Sequence, residues 1–368
     1  MTSLGGMIRW RSGVVVSLGR SWPGACELTV LLDDDVQAPA LAYDQVVGRP
    51  QVGDRVLLNV TALALGLGTG GYAMVVALPD RLPVDPQPAP GHLVKSRYTP
   101  LQTTVLGVDE QESASHDVLR DADDLTGMPV VVADLHSALP AIIAGIRNGS
   151  PAARVAYVMT DGGALPLWYS RSVAQLRAAG WLTCVVTVGQ AYGGDAEAVT
   201  LHTGLLAARH VYDADVAVVA QGPGNLGSGT RWGFSGVACG EAVNAVSVLN
   251  GRCVASLRIS QADRRDRHYG ISHHSLTAYG RAALAPADVV VPVLTGELSA
   301  RVADQLRQLA RHRIVTVTVD GLLDVLRASP VPLRTMGRGL EEDPAYFLAA
   351  AAAGRHAAEL LGEVRRSR

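Results

Sequence analysis

From Met128 onward the chain repeats one pattern: a short valine-rich apolar run, a turn of glycine and polar residues, then a longer alanine- and leucine-rich stretch at helical spacing. Runs covered on both faces are what a parallel sheet requires, and the longer stretches are its crossover helices. Val130 to Ala133, Arg154 to Met159, Thr183 to Val188, Asp215 to Ala220, Cys253 to Ile259, Val289 to Leu294 and Ile314 to Val319 are the expected strands. Helices are expected to end at Arg147, Ala179, Arg209 and Asn250, with another near Ala278 to Leu284. The pattern predicts an α/β fold, a doubly wound and mostly parallel Rossmann-like sheet.

The first eighty residues read differently. Gly13 to Leu18, Cys26 to Leu32, Arg55 to Val60 and Tyr72 to Leu78 are short β-type runs separated by SWPG, LDDD, RPQVGD and GLGTGG. Strands at this spacing predict a small all-β barrel. Few aromatics and a balance of arginine by Asp33, Asp34, Asp35, Asp44 and Asp54 disfavour nucleic acid as its partner. The expected organisation is a barrel domain at residues 1–80, a proline-rich then acidic connector at 81–127, and an α/β ligand-binding domain at 128–368. His92, Lys95, Arg97 and Tyr98 in the connector suit a segment that folds back on the second domain.

With 368 residues and a formal charge of -2, the chain carries no global attraction to nucleic acid or an acidic membrane surface. No apolar stretch approaches the ~20 residues of a membrane helix. No apolar signal core follows the first arginines, so a cytoplasmic protein is expected. Its four cysteines are scattered, as in reduced proteins without a disulfide framework. Lys95 is the only lysine, and it lies in no phosphate loop.

In a doubly wound sheet, ligands bind at the carboxyl ends of the strands. Glycine and polar residues concentrate at those turns, so the candidate chemistry is sought there. After Asp215 to Ala220 comes GPGNLG, formally GxGxxG, but the helix starts too late and no acidic residue ends the next strand at the right distance for a dinucleotide. What the loop offers is a seat for phosphate or carboxylate built from Gly222, Gly224, Asn225, Gly227, Ser228, Gly229, Thr230 and Arg231, with Gly193 and Gly194 from the preceding turn. GFSG lacks the final glycine of a nucleophile elbow, and Ser235 reads instead as the N-cap of the following helix.

The span DRRDRHYGISHHS supplies Asp263, Arg265, Arg267, His268, His273 and His274. Histidine moves protons near neutral pH, and arginine pairs with carboxylate or phosphate. The alternative for this span is a surface ion-pair loop with Ser272 as the N-cap of the next helix and the histidines on its first turn. His136 and Asp161, at other strand ends, complete the candidate acid–base set; Glu197 ranks below them, in what reads as a helix's first turn. No HxxxH, HxH or CxxC spacing occurs and neighbouring histidines usually diverge, so no metal ligands are assigned and the cofactor is unknown.

TDGGALP, GQAYGG, QGPGNLGSGTRWGFSG, RISQADRRDRHYGISHHS and, in the barrel, VGDRVLLNVTALALGLGTGGY together resemble a bacterial family known only as a domain of unknown function, number 3866 of its series. The resemblance spans nearly the whole chain. It implies a bacterial cytoplasmic protein and supplies no reaction, substrate or catalytic residue. The residues themselves point to an enzyme acting on a small anionic molecule, phosphorylated or carboxylate-bearing. The alternative is a nucleotide or metabolite sensor whose barrel binds a partner. Asp343 and Pro344 should open a final helix whose alanines, Ala345 to Ala353, suit packing on the domain or on a second subunit of a homo-oligomer.

Overall fold

A computed structural model describes residues 8–68 and 70–366. Residues 1–89 and 98–102 form one compact unit, and residues 90–97 and 103–368 form a second.

The first unit is a closed five-stranded barrel of β1 (Trp10–Trp22), β2 (Ala25–Leu32), β3 (Gln37–Tyr43), β4 (Arg55–Asn59) and β5 (Ala73–Ala77), in the order β1-β2-β3-β5-β4. Val15, Leu28, Val30, Val56, Leu58 and Val75 fill its interior. The sequence pattern gave four of these strands. It missed β3, QAPALAY, because Pro39 argues against a strand; Pro39 nonetheless sits opposite Thr29 in the β2 ladder. Closure comes from β3 pairing parallel with β5 and β1 pairing antiparallel with β4.

The second unit opens with a short hairpin, β6 (Leu93–Lys95) and β7 (Thr103–Val105). Its centre is an eight-stranded all-parallel sheet of β8 (Pro129–Val132), β9 (Val155–Thr160), β10 (Cys184–Val188), β11 (Ala196–Ala198), β12 (Val216–Gln221), β13 (Arg252–Ser256), β16 (Asp288–Pro292) and β17 (Arg313–Val317). A two-stranded ribbon, β14 (Ile259–Ser260) and β15 (Gly270–Ile271), lies between β13 and β16 in sequence. The sheet order is β11-β10-β9-β12-β8-β13-β16-β17. The chain therefore runs outward through β9, β10 and β11, returns to insert β12 beside β8, and then runs the other way through β13, β16 and β17. The turns after β8, β12 and β13 flank this reversal, where a doubly wound sheet presents its ligand edge.

Strands β8, β9, β10 and β12 are buried along almost their whole length, as their valine content demands. Helices Leu139–Gly149 and Pro344–Arg366 cover one face, and Leu201–His210 and Ala238–Val248 the other. Ala349 to Ala353 are buried in this domain's own core. The carboxylate of Asp343, at the head of the last helix, accepts from Ser260 Oγ at 2.6 Å, Gln261 N at 3.1 Å and Arg338 Nε at 3.1 Å.

Two local expectations fail. Glu197 is in β11, not in a helix: the three-residue run AEA is too short to carry a strand signal, and its pairing with β10 decides the outcome. Ser235 does not cap the helix Ala238–Val248; a 3-10 turn, Ser235–Val237, precedes that helix, and the Ser235 hydroxyl accepts from Leu226 N and donates to Asn225 Oδ1. Ser272 does cap the helix His273–Thr277, accepting from His274 N at 3.2 Å.

Candidate functional site

The segment after β13 is folded onto the ligand edge by a defined set of anchors. Ile259 and Ser260 pair with Ile271 and Gly270, so the span between them loops out and returns. Gln305 brackets the returning strand, accepting from Ile271 N at 2.7 Å and donating to Ile271 O at 3.1 Å. The helix His273–Thr277 then runs into a π-helical turn, Ala278–Ala282. Within that turn the buried hydroxyl of Tyr279 donates toward Val132 O at 2.8 Å and Ser256 O at 3.2 Å, tying the helix to the ends of β8 and β13. Irregular turns of this kind recur where a helix must aim side chains at a site.

What the anchors aim is a group of three imidazoles. The His268 ring centroid lies 4.9 Å from that of His273 and 5.0 Å from that of His274, and the last two are 4.3 Å apart. One ring nitrogen from each falls within 4.8 Å of the others. Adjacent residues on a helix normally diverge; here Phe234 stacks on His274 at 4.0 Å, nearly parallel, and turns its ring toward the group. His268 Nδ1 meets Ser272 Oγ at 2.8 Å, and Asn225 Nδ2 lies 3.5 Å from His274 Nδ1. His273 Nε2 is buried with no hydrogen-bond partner among the described residues. No metal ligands were expected from sequence spacing, yet this is a set that could hold a metal ion.

Behind the rings stands a charged network. Arg258 is buried and lies 3.4 Å from Asp263, which also takes two side-chain hydrogen bonds from Arg265, at 2.9 and 2.7 Å, and a contact from Arg338 at 3.5 Å. The hydrogen bonds from Arg265 hold the Asp263 carboxyl well below the usual carboxylate range. Asp263 is therefore a fixed anion that organises arginines rather than a proton carrier. Burial, followed by the charges of Arg258 and Arg265, pushes His268 down to about 3, and burial with the neighbouring His273 and Arg258 pushes His274 down to about 3. His273 is lowered as well, first by burial and then by Arg267. All three rings are neutral near pH 7, with lone pairs available.

Beside this group, Asp134 at the end of β8 and Gln221 at the end of β12 line a small hollow with Ser235, Gly236 and Cys239. It has room for about one water. Gln221 Nε2 donates to Asp134 O at 2.8 Å, while Asp134 Oδ2 and Gln221 Oε1 have no partner among the described residues. Burial raises the Asp134 carboxyl, with Arg258 opposing. Buried polar atoms are nearly always paired, so three orphans along one sheet edge mark it as unusual.

Several other sequence candidates have hydrogen-bond partners within the domain. His136 is held between the Tyr157 hydroxyl at 3.0 Å and Ser170 Oγ at 2.7 Å, and burial lowers it to about 4. Asp161 Oδ2 accepts from Gln190 N at 2.9 Å. The amide of Gly193 donates to Glu197 Oε1 at 2.6 Å, and that of Gly194 to Thr187 Oγ1 at 3.1 Å. The glycine loop closes on itself: Gly227 bridges to Phe234, Ser228 N donates to Gly233 O at 2.7 Å, Gly233 N donates to Thr230 Oγ1 at 3.1 Å, and Gly224 and Gly229 take positive φ. Gly222 packs tightly, since a Cβ there would lie 2.3 Å from Ala164 O. Of this loop, Asn225 and Phe234 reach the imidazole group. Arg231 and Arg267 are exposed.

Sequence reading singled out neither Arg258 nor Phe234 as a site residue, and placed Asp134 and Gln221 only among the strand-end turns of the expected ligand crevice. Arg258 carried a signal: a charge inside the apolar run Cys253 to Ile259 must find a buried partner.

The lowered histidines make a pH prediction. His268, His274 and His136 bind protons more weakly folded than unfolded, where the ordinary value is about 6.5. The unfolded chain then takes up protons first as pH falls, so stability is complete above about 6.5 and is lost progressively from there toward 3. In chelator-containing buffer, urea unfolding between pH 7 and 4.5 should show an uptake of about two to three protons per molecule on unfolding, each giving a slope of about 1.4 kcal/mol per pH unit. A flat profile would show that the rings are protonated in the folded protein.

A family model described as Protein of unknown function (DUF3866) matches residues 39–354. No curated protein matches the chain. Among the described residues no helix is long and apolar enough to cross a membrane.

Proposed function

Since the chain belongs to the DUF3866 family of proteins of unknown function, we propose its chemistry from its own residues: it is an enzyme that acts on a small anionic molecule at the carboxyl edge of the parallel sheet. The observation that carries this reading is the neutral three-histidine group set in an arginine-rich segment. In it, the buried Nε2 of His273 has no partner among the described residues. Arg265 and Arg267 draw in the anion, burial followed by the nearby arginine charges keeps the imidazoles uncharged, and the lone pair on His273 meets the reacting group. A neutral imidazole serves as a proton acceptor in the way that acid–base catalysis needs.

The experiment is a thermal-shift and calorimetric screen of inorganic phosphate and small carboxylates against the full chain, repeated with Arg267→Ala. Charge-assisted hydrogen bonds predict that the variant binds its best anion about 10-fold more weakly or worse. If no anion stabilises the protein, or Arg267→Ala binds it unchanged, the reading fails. His273→Gln then separates catalysis from sensing: an enzyme keeps affinity and loses turnover, whereas a metabolite sensor shows a change in affinity alone.

A further inference from the structure

We propose that His268, His273 and His274 together bind one divalent transition-metal ion, with zinc the best-fitting probe, leaving one coordination position open toward the arginine-rich segment. The site stands on its geometry; it rests on the reading above only in that the anion would then occupy the open position, and with the ion bound His273 Nε2 is a metal ligand in place of the proton acceptor of that reading.

Three arguments converge. The first is donor chemistry. Three imidazoles and no carboxylate select zinc, cobalt or a similar ion over magnesium or calcium, and three protein ligands with a free fourth position are the pattern of catalytic rather than structural zinc. The second is distance. Zn–N bonds of about 2.0–2.1 Å place tetrahedral ligand nitrogens about 3.4 Å apart. The candidate nitrogens already lie within 4.8 Å of one another.

The third argument is the outer support that metal-binding histidines require, a hydrogen bond on the nitrogen turned away from the ion. His268 has this in Ser272 Oγ on its Nδ1, which leaves its Nε2 as the nitrogen for the ion. His274 is clamped by the Phe234 ring on one face and approached by Asn225. His273 contributes a buried Nε2 with no other partner among the described residues. Arg258, Arg265 and Arg267 add positive charge nearby, which would oppose a bare cation. An anion on the open position offsets that charge, so the same arginines favour a metal–anion pair over the metal alone.

The test uses the full chain, stripped of metal by chelator and titrated in phosphate-free buffer with Zn2+ alone and then with Co2+ alone. One equivalent of each should bind, and cobalt should give the intense visible bands of a four-coordinate ion. His273→Gln, at a half-buried position, should weaken Zn2+ by about 100-fold or more while far-UV dichroism stays unchanged. Arg267→Ala removes a nearby positive charge, so it should bind Zn2+ alone no more weakly than the parent while losing the gain in affinity that an added anion gives. Absence of stoichiometric binding, a six-coordinate cobalt spectrum, or unchanged affinity in His273→Gln would each overturn the site. Metal binding without any anion effect would leave the site standing and remove the proposed substrate class. Anion binding without metal would do the reverse.

Discussion

Replacing Gly354 with alanine is expected to destabilise the second domain by about 1–3 kcal/mol, and replacement with valine by more, although alanine is the better helix former. A Cβ at Gly354 would lie 1.9 Å from Ile142 O, and one at Gly145, on the facing helix, 2.0 Å from Ala351 O. The obstacle in both cases is backbone, which cannot rotate away as a side chain can. The helices Leu139–Gly149 and Pro344–Arg366 touch at these two points, and the added carbon must push them apart along a seam of alanines. Intrinsic propensity works the other way, favouring alanine over glycine by about 1 kcal/mol in a helix interior. Gly362 on the same helix isolates that effect, since nothing lies within 4 Å of a Cβ built there. Gly362→Ala should therefore stabilise the protein, whereas Gly354→Ala should lower the urea midpoint with an unchanged slope. A Gly354→Ala protein as stable as the parent would show that the helix crossing is looser than described.

That contrast also marks where sequence reading stops. Pattern alone identified nearly all the strands of the parallel sheet because each is a valine run with no competing interpretation, and Ser272 was recognised as a cap because its partner is two residues away. The strand order was not legible: nothing in Val216–Gln221 says that it inserts between β9 and β8. Short-range chemistry was similarly visible and long-range chemistry was not. His268, His273 and His274 were candidates because they share one loop, but their convergence depends on Phe234, which lies far away in the chain. Asp134 and Gln221 end their strands as ordinary polar residues and become conspicuous only when burial leaves their oxygens unpaired. His136 and Asp161 had the right type and position in sequence, and neighbours distant in sequence claimed them.

Lys95→Met should cost about 3–5 kcal/mol, the loss expected when one partner of a buried ion pair is removed and the other is stranded. Lys95 is 2% exposed. Its ammonium donates to Gly189 O at 2.7 Å, Ala191 O at 2.9 Å and Ala198 O at 3.2 Å, and lies 3.4 Å from Glu197 Oε2. The lysine thus ties the β6–β7 hairpin to the ends of β10 and β11, using all its donors on groups that would otherwise be buried and unpaired. Burial lowers the lysine and raises Glu197, so each charge is costly alone and tolerable only with the other. Methionine keeps the length and apolar stem while deleting the charge, which confines the effect to the hydrogen bonds and the ion pair. Adding Glu197→Gln to Lys95→Met removes the stranded carboxylate, and the double variant should recover about 1–3 kcal/mol relative to the sum of the two single changes. The three carbonyls lose the lysine's donors in both proteins that carry Lys95→Met, so recovery should be partial. Urea unfolding of the four proteins closes the cycle, and strict additivity would mean that Lys95 acts on the carbonyls alone and that its contact with Glu197 contributes nothing to stability.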